Sequence, residues 1–373
     1  MKIVVLSVYN GQLNRGAETW SQQVVSMLST NGASAVLVGG GDVLQSGDMT
    51  VVRTPLRDNS GMPTLASRFK MYGRIDSYAC SLISFTVRSI QQGLLNDADI
   101  VIPINGFWEI VMLRLYRYVR RRSYRIVYVN HAGSEISREI SVAAPDLVVL
   151  LKQNTRTGKL SPRIPSTVVP NGVSLCNYHV VAPPDRPTLV CVAALIPYKR
   201  VDLAIRVAAA GGARLHVYGD GPLAPSIRAQ GKNLLGSAFH LTVLPHESMP
   251  AQYGLGTALI HTAEDSENFP MVFLESLAAN RPVLTFDTAT NREILGDAGI
   301  YAADFEDMKR LVRTQTFWRN VHHMIADAVP RKRAEKFDWS AVVLPRYMEE
   351  FSRLLERPQP WSQAISEPFR AKD

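Results

Sequence analysis

Residues 180–195 read VVAPPDRPTLVCVAAL, and residues 199–212 read KRVDLAIRVAAAGG. Proline fixes φ and lacks an amide donor, so Pro183, Pro184 and Pro187, with Asp185 and Arg186 between them, read as a linker. A β-branched apolar strand follows at once, then a helix. An α/β pattern therefore starts afresh after the prolines. It continues through the strand and turn RLHVYGDGP, the strand TALIHTA, the helix PMVFLESLAANR and the strand PVLTF.

The same alternation precedes the linker. KIVVLSV is a strand, and GAETWSQQVVSMLSTNG is a helix carrying Val24, Val25 and Leu28 and closed by Gly32. SAVLVGGG, ADIVIPI, YRIVYVNHAG and DLVVLL supply further strands, with a long helical stretch from Trp108. Strands alternating with helices imply βαβ units and parallel sheets. At 373 residues the chain exceeds what one core accommodates. The expectation is an α/β protein of two Rossmann-like, doubly wound domains, 1–180 and 181–345, facing a central cleft. Ligands in such sheets bind at the carboxyl ends of the strands. A last helix after EKFDWS and a tail through Trp361, residues 346–373, are expected to fold back on the first domain. There is no internal repeat.

Composition narrows the class. Hydrophobic residues at 46% and charged residues at 20% exclude a disordered or fibrous chain. No apolar run approaches the roughly 18–20 residues of a membrane span, and MKIVVLSV reads as a first strand rather than a signal-peptide core. Cys80, Cys176 and Cys191 form neither a disulfide framework nor a zinc pattern, which points to a reducing cytosol. The net charge of +8 is lopsided. Residues 1–180 hold 19 Lys and Arg against 11 Asp and Glu, whereas residues 181–373 hold 22 of each. Either an anionic partner approaches the first half or its basic surface is merely solvated.

Chemistry concentrates at residues 264–284, EDSENFPMVFLESLAANRPVL. Proline suits the first position of a helix and forces its predecessor out of helical conformation, so Pro270 is expected to begin one. Glu267 then lies before the helix N-terminus, and Glu275 one to two turns inside. The free N–H groups of Met271 and Val272 make an anion site there. Carboxylates flanking a phosphate would accept hydrogen bonds from hydroxyls, an arrangement that a sugar nucleotide offers. The alternative is a capping carboxylate and a solvent-facing one.

Taken with other segments, the sequence resembles the retaining GT-B glycosyltransferases of family 4 (glycosyl transferases group 1). Six motifs occur in that family's order. They are Arg15-Gly16-Ala17-Glu18 for an N-terminal G-G-A-E loop, His131 after a first-domain strand, Pro170-Asn171-Gly172-Val173, AALIPYKRVDLAI for G-R-L-x3-K, Gly219-Asp220-Gly221-Pro222, and an E-x7-E element in Glu267, Phe269, Pro270 and Glu275. The resemblance implies transfer of a hexose from a nucleoside diphosphate sugar to a glycan or lipid-linked acceptor, with retention and without a metal or other cofactor. It implies that Glu267, with Asn268, Phe269 and Pro270, lines the hexose and that Glu275 holds the ribose. Lys199, Gly16, Arg200, Met271 and Val272 would take the diphosphate, and His131 would line the reaction centre. Ala194 stands where the family has an arginine, and Arg15 replaces a glycine. A non-catalytic binder of sugar nucleotides or lipid headgroups therefore stays as an alternative, beside a sugar-phosphate epimerase or phosphorylase.

Two further features have competing readings. Asp97-Ala98-Asp99 resembles a metal-binding pair but immediately precedes IVIPI, so a helix-to-strand turn is expected. In WEIVMLRLYRYVRRRSYR, residues 108–125, Val111, Leu115 and Tyr118 share one helical face and Arg114, Arg117 and Arg121 another. The Arg114–Arg125 segment is then an ordinary surface helix, a contact for an anionic membrane or lipid-linked acceptor, or, least favoured, a nucleic-acid surface with Tyr116, Tyr118 and Tyr124 stacking on bases.

Overall fold

Near-continuous apolar runs make strands covered on both faces, and each part of the chain is organised around such strands. The computed structural model describes residues 1–11, 16–41, 49–52, 77–131, 133, 135–263 and 267–358. These divide into two units. One comprises the described parts of Met1–Leu151, Thr155–Val169 and Leu344 onward, the other Lys152–Asn154 and Pro170–Val343.

Among the described residues the first unit has seven parallel strands: Lys2–Ser7 (β1), Ser34–Gly39 (β2), Met49–Val51 (β3), Ile100–Pro103 (β4), Arg125–Val129 (β5), Leu147–Leu150 (β6) and Ser166–Val168 (β7). Their order is β3-β2-β1-β4-β5-β6-β7, which reverses between β1 and β4. Helices Gly16–Thr30 (α1), Ser77–Gln91 (α2), Phe107–Arg120 (α3) and Arg138–Ala143 (α4) accompany it. Val4, Leu6, Phe85, Ile110, Leu113, Ile126 and Val148 belong to its core.

The second unit has six: Thr188–Val192 (β8), Arg214–Tyr218 (β9), Phe239–Thr242 (β10), Ala258–His261 (β11), Val283–Phe286 (β12) and Gly299–Ala302 (β13), in the order β10-β9-β8-β11-β12-β13. Its helices are Val201–Ala210 (α5), Ala224–Leu235 (α6), Met249–Tyr253 (α7), Met271–Ala278 (α8), Ala289–Leu295 (α9), Phe305–Val312 (α10), Gln315–Ala326 (α11) and Val329–Glu335 (α12). Both sheets are parallel throughout, giving the expected two-unit α/β fold.

The chain passes into the second unit at Val169–Pro170, ahead of the proline run read as a linker. The cause is local pairing. Val173 donates to Phe337 O at 2.8 Å and accepts from Trp339 N at 3.2 Å, and a Cβ on Gly172 would lie 2.4 Å from the Trp339 ring. Gly172 is therefore a packing glycine within the second unit. Arg281, fully buried, donates to the carbonyls of Gly256 at 2.6 Å, Gly254 at 2.9 Å and Val181 at 3.0 Å, which ties residues just before the prolines to the same unit. The last helix, Leu344–Glu356 (α13), belongs to the first unit; its Tyr347 ring lies 6.1 Å from Trp20. Arg125 donates to Pro358 O at 3.0 Å. Trp361 lies outside the described residues.

Helix α3 departs in part from the expected faces: Val111 packs against the core and Arg114 and Arg121 are exposed, but Arg117, Leu115 and Tyr118 change places. Ile110, Leu113 and Arg117 are buried, whereas Leu115, Tyr118 and Val119 are 55%, 78% and 65% exposed. Burying Arg117 is tolerated because its guanidinium pairs with Asp146 and donates to Tyr124 O at 3.1 Å. At the start of α3, Glu109 accepts from Asn105 N at 2.8 Å, in the manner of a capping carboxylate. Burial nevertheless pushes its carboxyl up to about 8, the backbone bonds only partly offsetting it. Among the described residues no helix is long and apolar enough to cross a membrane.

Candidate functional site

Three segments of the second unit meet at the carboxyl ends of β8 and β11. After β8 the chain makes a tight turn, Pro197–Lys199, followed by Arg200 in the left-handed region at φ 48°. Thr262, just past β11, donates its hydroxyl to Arg200 O at 2.8 Å, fixing that turn. The Gly219-Asp220-Gly221-Pro222 turn lies behind it. A Cβ on Gly219 would stand 1.9 Å from Ala193 O, and one on Gly221 2.6 Å from Leu195 O. With φ of 152° at both, these positions require glycine. Leu195 N donates to Asp220 O at 2.8 Å, so the motif shapes the turn that carries Lys199.

Lys199 forms an ion pair with Oε1 of Glu267, and Nε2 of His261 reaches the same oxygen at 3.2 Å. The Lys199 and Glu267 side chains are 18% and 16% exposed, while His261 is buried. Burial works to raise the Glu267 carboxyl, but the hydrogen bond and charge of His261, together with Lys199, hold it at about 2. It is thus ionised at neutral pH. Its Oε2 has no hydrogen-bond partner among the described residues.

Glu275 is the opposite case. Only 6% exposed, it accepts through Oε2 from the hydroxyl of Tyr253, which is itself buried and lies 6.3 Å ring-to-ring from Tyr178. Burial raises the Glu275 carboxyl, and the Tyr253 bond lowers it by less. Tyr253 is raised well above its ordinary value by burial and by the adjacent carboxylate. Oε1 of Glu275 has no hydrogen-bond partner among the described residues.

Helix α8 starts one residue later than the sequence suggested. Pro270 is extended, with ψ 113°, and serves as the residue before the first turn. Its φ of −64° suits either position, so proline alone did not decide between them. Phe273 N donates to Pro270 O at 3.1 Å; the N–H groups of Met271 and Val272 have no intrahelical acceptor. Asn268 is buried beside Glu267, and Phe269 packs edge-on against Phe337 at 6.1 Å, which makes it an anchor for the loop. Arg200 bonds to Asp202 at 3.2 Å, and both line a groove of about 510 Å³ with Tyr198, Val201, Leu223 and Gln230. Ala194 is exposed.

Gly16 and His131 belong to the first unit. Gly16 opens α1, and a Cβ there would meet nothing within 4 Å, so no described protein atom demands the glycine. Arg15 lies outside the described residues. His131 packs edge-on against Trp20 at 4.8 Å; burial pushes its imidazole down to about 4, and Nε2 has no partner among the described residues. Among the described residues no group of three or more His, Cys, Asp or Glu is placed to hold a metal ion. Asp97 takes Lys2 Nζ at 2.6 Å and Asp99 takes Lys2 N at 2.7 Å, so this pair staples the start of β1.

Sequence reading missed His261, Thr262 and Tyr253. His261 and Thr262 fell inside a segment recognised only as a strand. Tyr253 ends a five-residue helix too short to show periodicity.

Residues 179–318 match the family model of the glycosyl transferases group 1. That span contains Lys199, His261, Glu267 and Glu275. A curated exopolysaccharide phosphotransferase of Streptomyces coelicolor is 28% identical over 236 residues, 57% of this chain. The chain spans only 24% of that relative's length. Among similar solved structures are HepE of Anabaena in complex with UDP and glucose, and a sucrose-phosphate synthase of Thermosynechococcus elongatus. Both superpose with a TM-score of 0.70 over 95% of this chain, at 14% and 15% identity, covering 100% and 98% of their own chains. The galactosyltransferase WaaB of the lipopolysaccharide outer core gives 0.65 at 18% identity, over 95% of this chain and 100% of its own. These likenesses give the fold as GT-B, and the family match lies within the second unit.

Replacing Tyr253 tests the buried half of this site. Tyr253→Phe strips the Glu275 carboxyl of its donor and should cost about 1–3 kcal/mol in urea unfolding. The raised carboxyl makes stability fall as pH rises above its ordinary 4.5. The substitution should enlarge that fall and extend it to higher pH; an unchanged pH dependence would count against the assignment.

Proposed function

We propose that this chain is a retaining glycosyltransferase that moves a hexose from a nucleoside diphosphate sugar to a hydroxyl of a glycan or lipid-linked acceptor. The observation that carries this is the pairing of Lys199 with an ionised Glu267 in the loop that leads into α8. Lys199 and the N–H groups of Met271 and Val272 take the diphosphate, with Gly16 and Arg200 as further phosphate contacts. Oε2 of Glu267 accepts from a hexose hydroxyl, and Asn268 and Pro270 border it. Oε1 of Glu275, left open by Tyr253, accepts from the ribose. His131 contributes a neutral imidazole beside the reacting carbon.

Charge stabilisation of the leaving diphosphate then comes from Lys199 and the helix, without a metal. The departing phosphate oxygen takes the acceptor's proton as the acceptor oxygen bonds to the anomeric carbon. The name of the Streptomyces relative favours a second reading, transfer of a sugar phosphate. The two differ in their leaving group: hexosyl transfer from UDP-glucose releases UDP, whereas transfer of the hexose phosphate releases UMP.

A basic helix face offers a route to a lipid-linked acceptor. Leu115, Tyr118 and Val119 project beside Arg120 and Arg121, a combination that suits an anionic bilayer, with apolar tips in the interface and arginines at headgroups.

Nucleotide release identifies the reaction. With a panel of nucleoside diphosphate sugars, the diphosphate should be released. Lys199→Ala should lower kcat and Glu275→Ala should raise the donor KM, each by about ten- to a hundredfold. Monophosphate release, or unchanged kinetics in both variants, would reject the reading. In vesicle co-sedimentation, binding to anionic lipid should fall at least tenfold in Tyr118→Ser/Val119→Ser, an effect whose absence removes the membrane contact.

A further inference from the structure

His261 is the residue of this cluster that the donor reading leaves without a task. It closes β11 and lies in register with Thr285 of β12. Its Nδ1 is 3.4 Å from Thr285 Oγ1, its Nε2 is 3.2 Å from Glu267 Oε1, and its ring stands edge-on to Phe273 of α8 at 4.8 Å. Thr285, fully buried, receives a hydrogen bond from Asn291 Nδ2 at 3.1 Å. Asn291 in turn donates to Phe286 O at 2.9 Å and is held at its backbone by Thr288 Oγ1.

This chain of bonds has a direction. An ionised carboxylate can only accept, so the His261 nitrogen facing Oε1 of Glu267, Nε2, carries a proton. In a neutral ring Nδ1 is then an acceptor, and the Thr285 hydroxyl, which accepts from Asn291, still has its own proton to donate to it. A protonated ring presents Nε2–H to Glu267 as well. In either state β12 and α9 orient a donor toward Oε1.

Lys199 and His261 therefore hold the same oxygen, and Oε2 has no hydrogen-bond partner among the described residues. An arriving diphosphate competes for Lys199. Its ammonium has three N–H donors, and each one drawn to phosphate is one fewer for the carboxylate. His261 is not drawn away in the same manner, because its buried ring is held between Thr285 and Phe273.

We propose that His261 is a positioning residue that keeps Oε1 of Glu267 in place when Lys199 turns to the donor diphosphate, so that Oε2 stays presented to a hexose hydroxyl. This rests on the donor reading above. Its consequence is selective: sugar recognition depends on His261, and nucleotide recognition does not.

The test compares UDP with UDP-glucose by calorimetry, together with turnover, in the unaltered chain and in His261→Ala, His261→Gln and Thr285→Val. His261→Ala should bind UDP within about twofold of the unaltered chain, yet lose about tenfold to a hundredfold in UDP-glucose affinity and in kcat. Glutamine, which offers an N–H at similar reach, should recover most of the loss. Thr285→Val should fall between. Equal weakening for UDP and UDP-glucose, no change in either, or no recovery by glutamine would overturn the proposal. Should the unaltered chain bind neither compound, the donor reading fails, and a second measurement still decides the role of His261. Nitrogen-15 NMR of its imidazole should show the proton on Nε2 in the unaltered chain and a shift toward Nδ1 in Thr285→Val. A proton on Nδ1 in the unaltered chain overturns the proposal whether or not nucleotide binds.

Discussion

One shared oxygen organises the second unit's functional edge. Oε1 of Glu267 takes both the ammonium of Lys199 and Nε2 of His261. Burying a carboxylate this far costs several kcal/mol unless cations and donors repay it, and here they repay it fully enough to hold the group ionised. The residual exposure matters as much as the pairing. A closed ion pair would be inert, whereas this one leaves a second carboxylate oxygen and a cation partly exposed, with Glu267 in the loop that leads into α8.

The fold brings these groups together through backbone placement. Lys199 follows β8 by a turn that needs Gly219 and Gly221 to let the next loop lie against it. His261 and Thr262 follow β11, the neighbour of β8, and Thr262 bonds back to the Lys199 turn. Glu267 belongs to the loop before α8, anchored by Phe269 against Phe337. The carboxyl edge of a parallel sheet thus gathers residues some 70 positions apart, and Glu275, one turn into α8, is committed to a buried bond with Tyr253. The two glutamates of one motif therefore have opposite electrostatic characters: one is ionised and reachable, the other is raised and enclosed.

Much of this was legible in the sequence, and the misses share a cause. The interior strands are continuous apolar runs and were recognised, as were Lys199, Glu267 and Glu275. The strands that went unread, β3, β7, β10 and β13, are the four sheet edges. An edge strand is covered less completely, and β10 alternates buried with exposed residues over only four positions. Helix α3 was recognised but Arg117 was placed on its exposed side, because periodicity cannot reveal that Asp146 waits to neutralise it. The same limit applies to His261 and Tyr253: their importance lies in partners from other strands and helices, Thr285 and Glu275, that no local pattern connects. The Pro183-Pro184 stretch misled for a related reason. Proline marks where regular structure stops, and the pairing of Val173 with Phe337 and Trp339 decides which unit the chain has joined.

The most direct test of the central claim is a crystal structure of the chain with a nucleoside diphosphate sugar bound. The account predicts a diphosphate oxygen within about 3.2 Å of Lys199 Nζ, with Glu267 Oε1 still on His261 and Oε2 on a sugar hydroxyl. A diphosphate bound elsewhere, with the Lys199–Glu267 pair intact and Oε2 unoccupied, would contradict it.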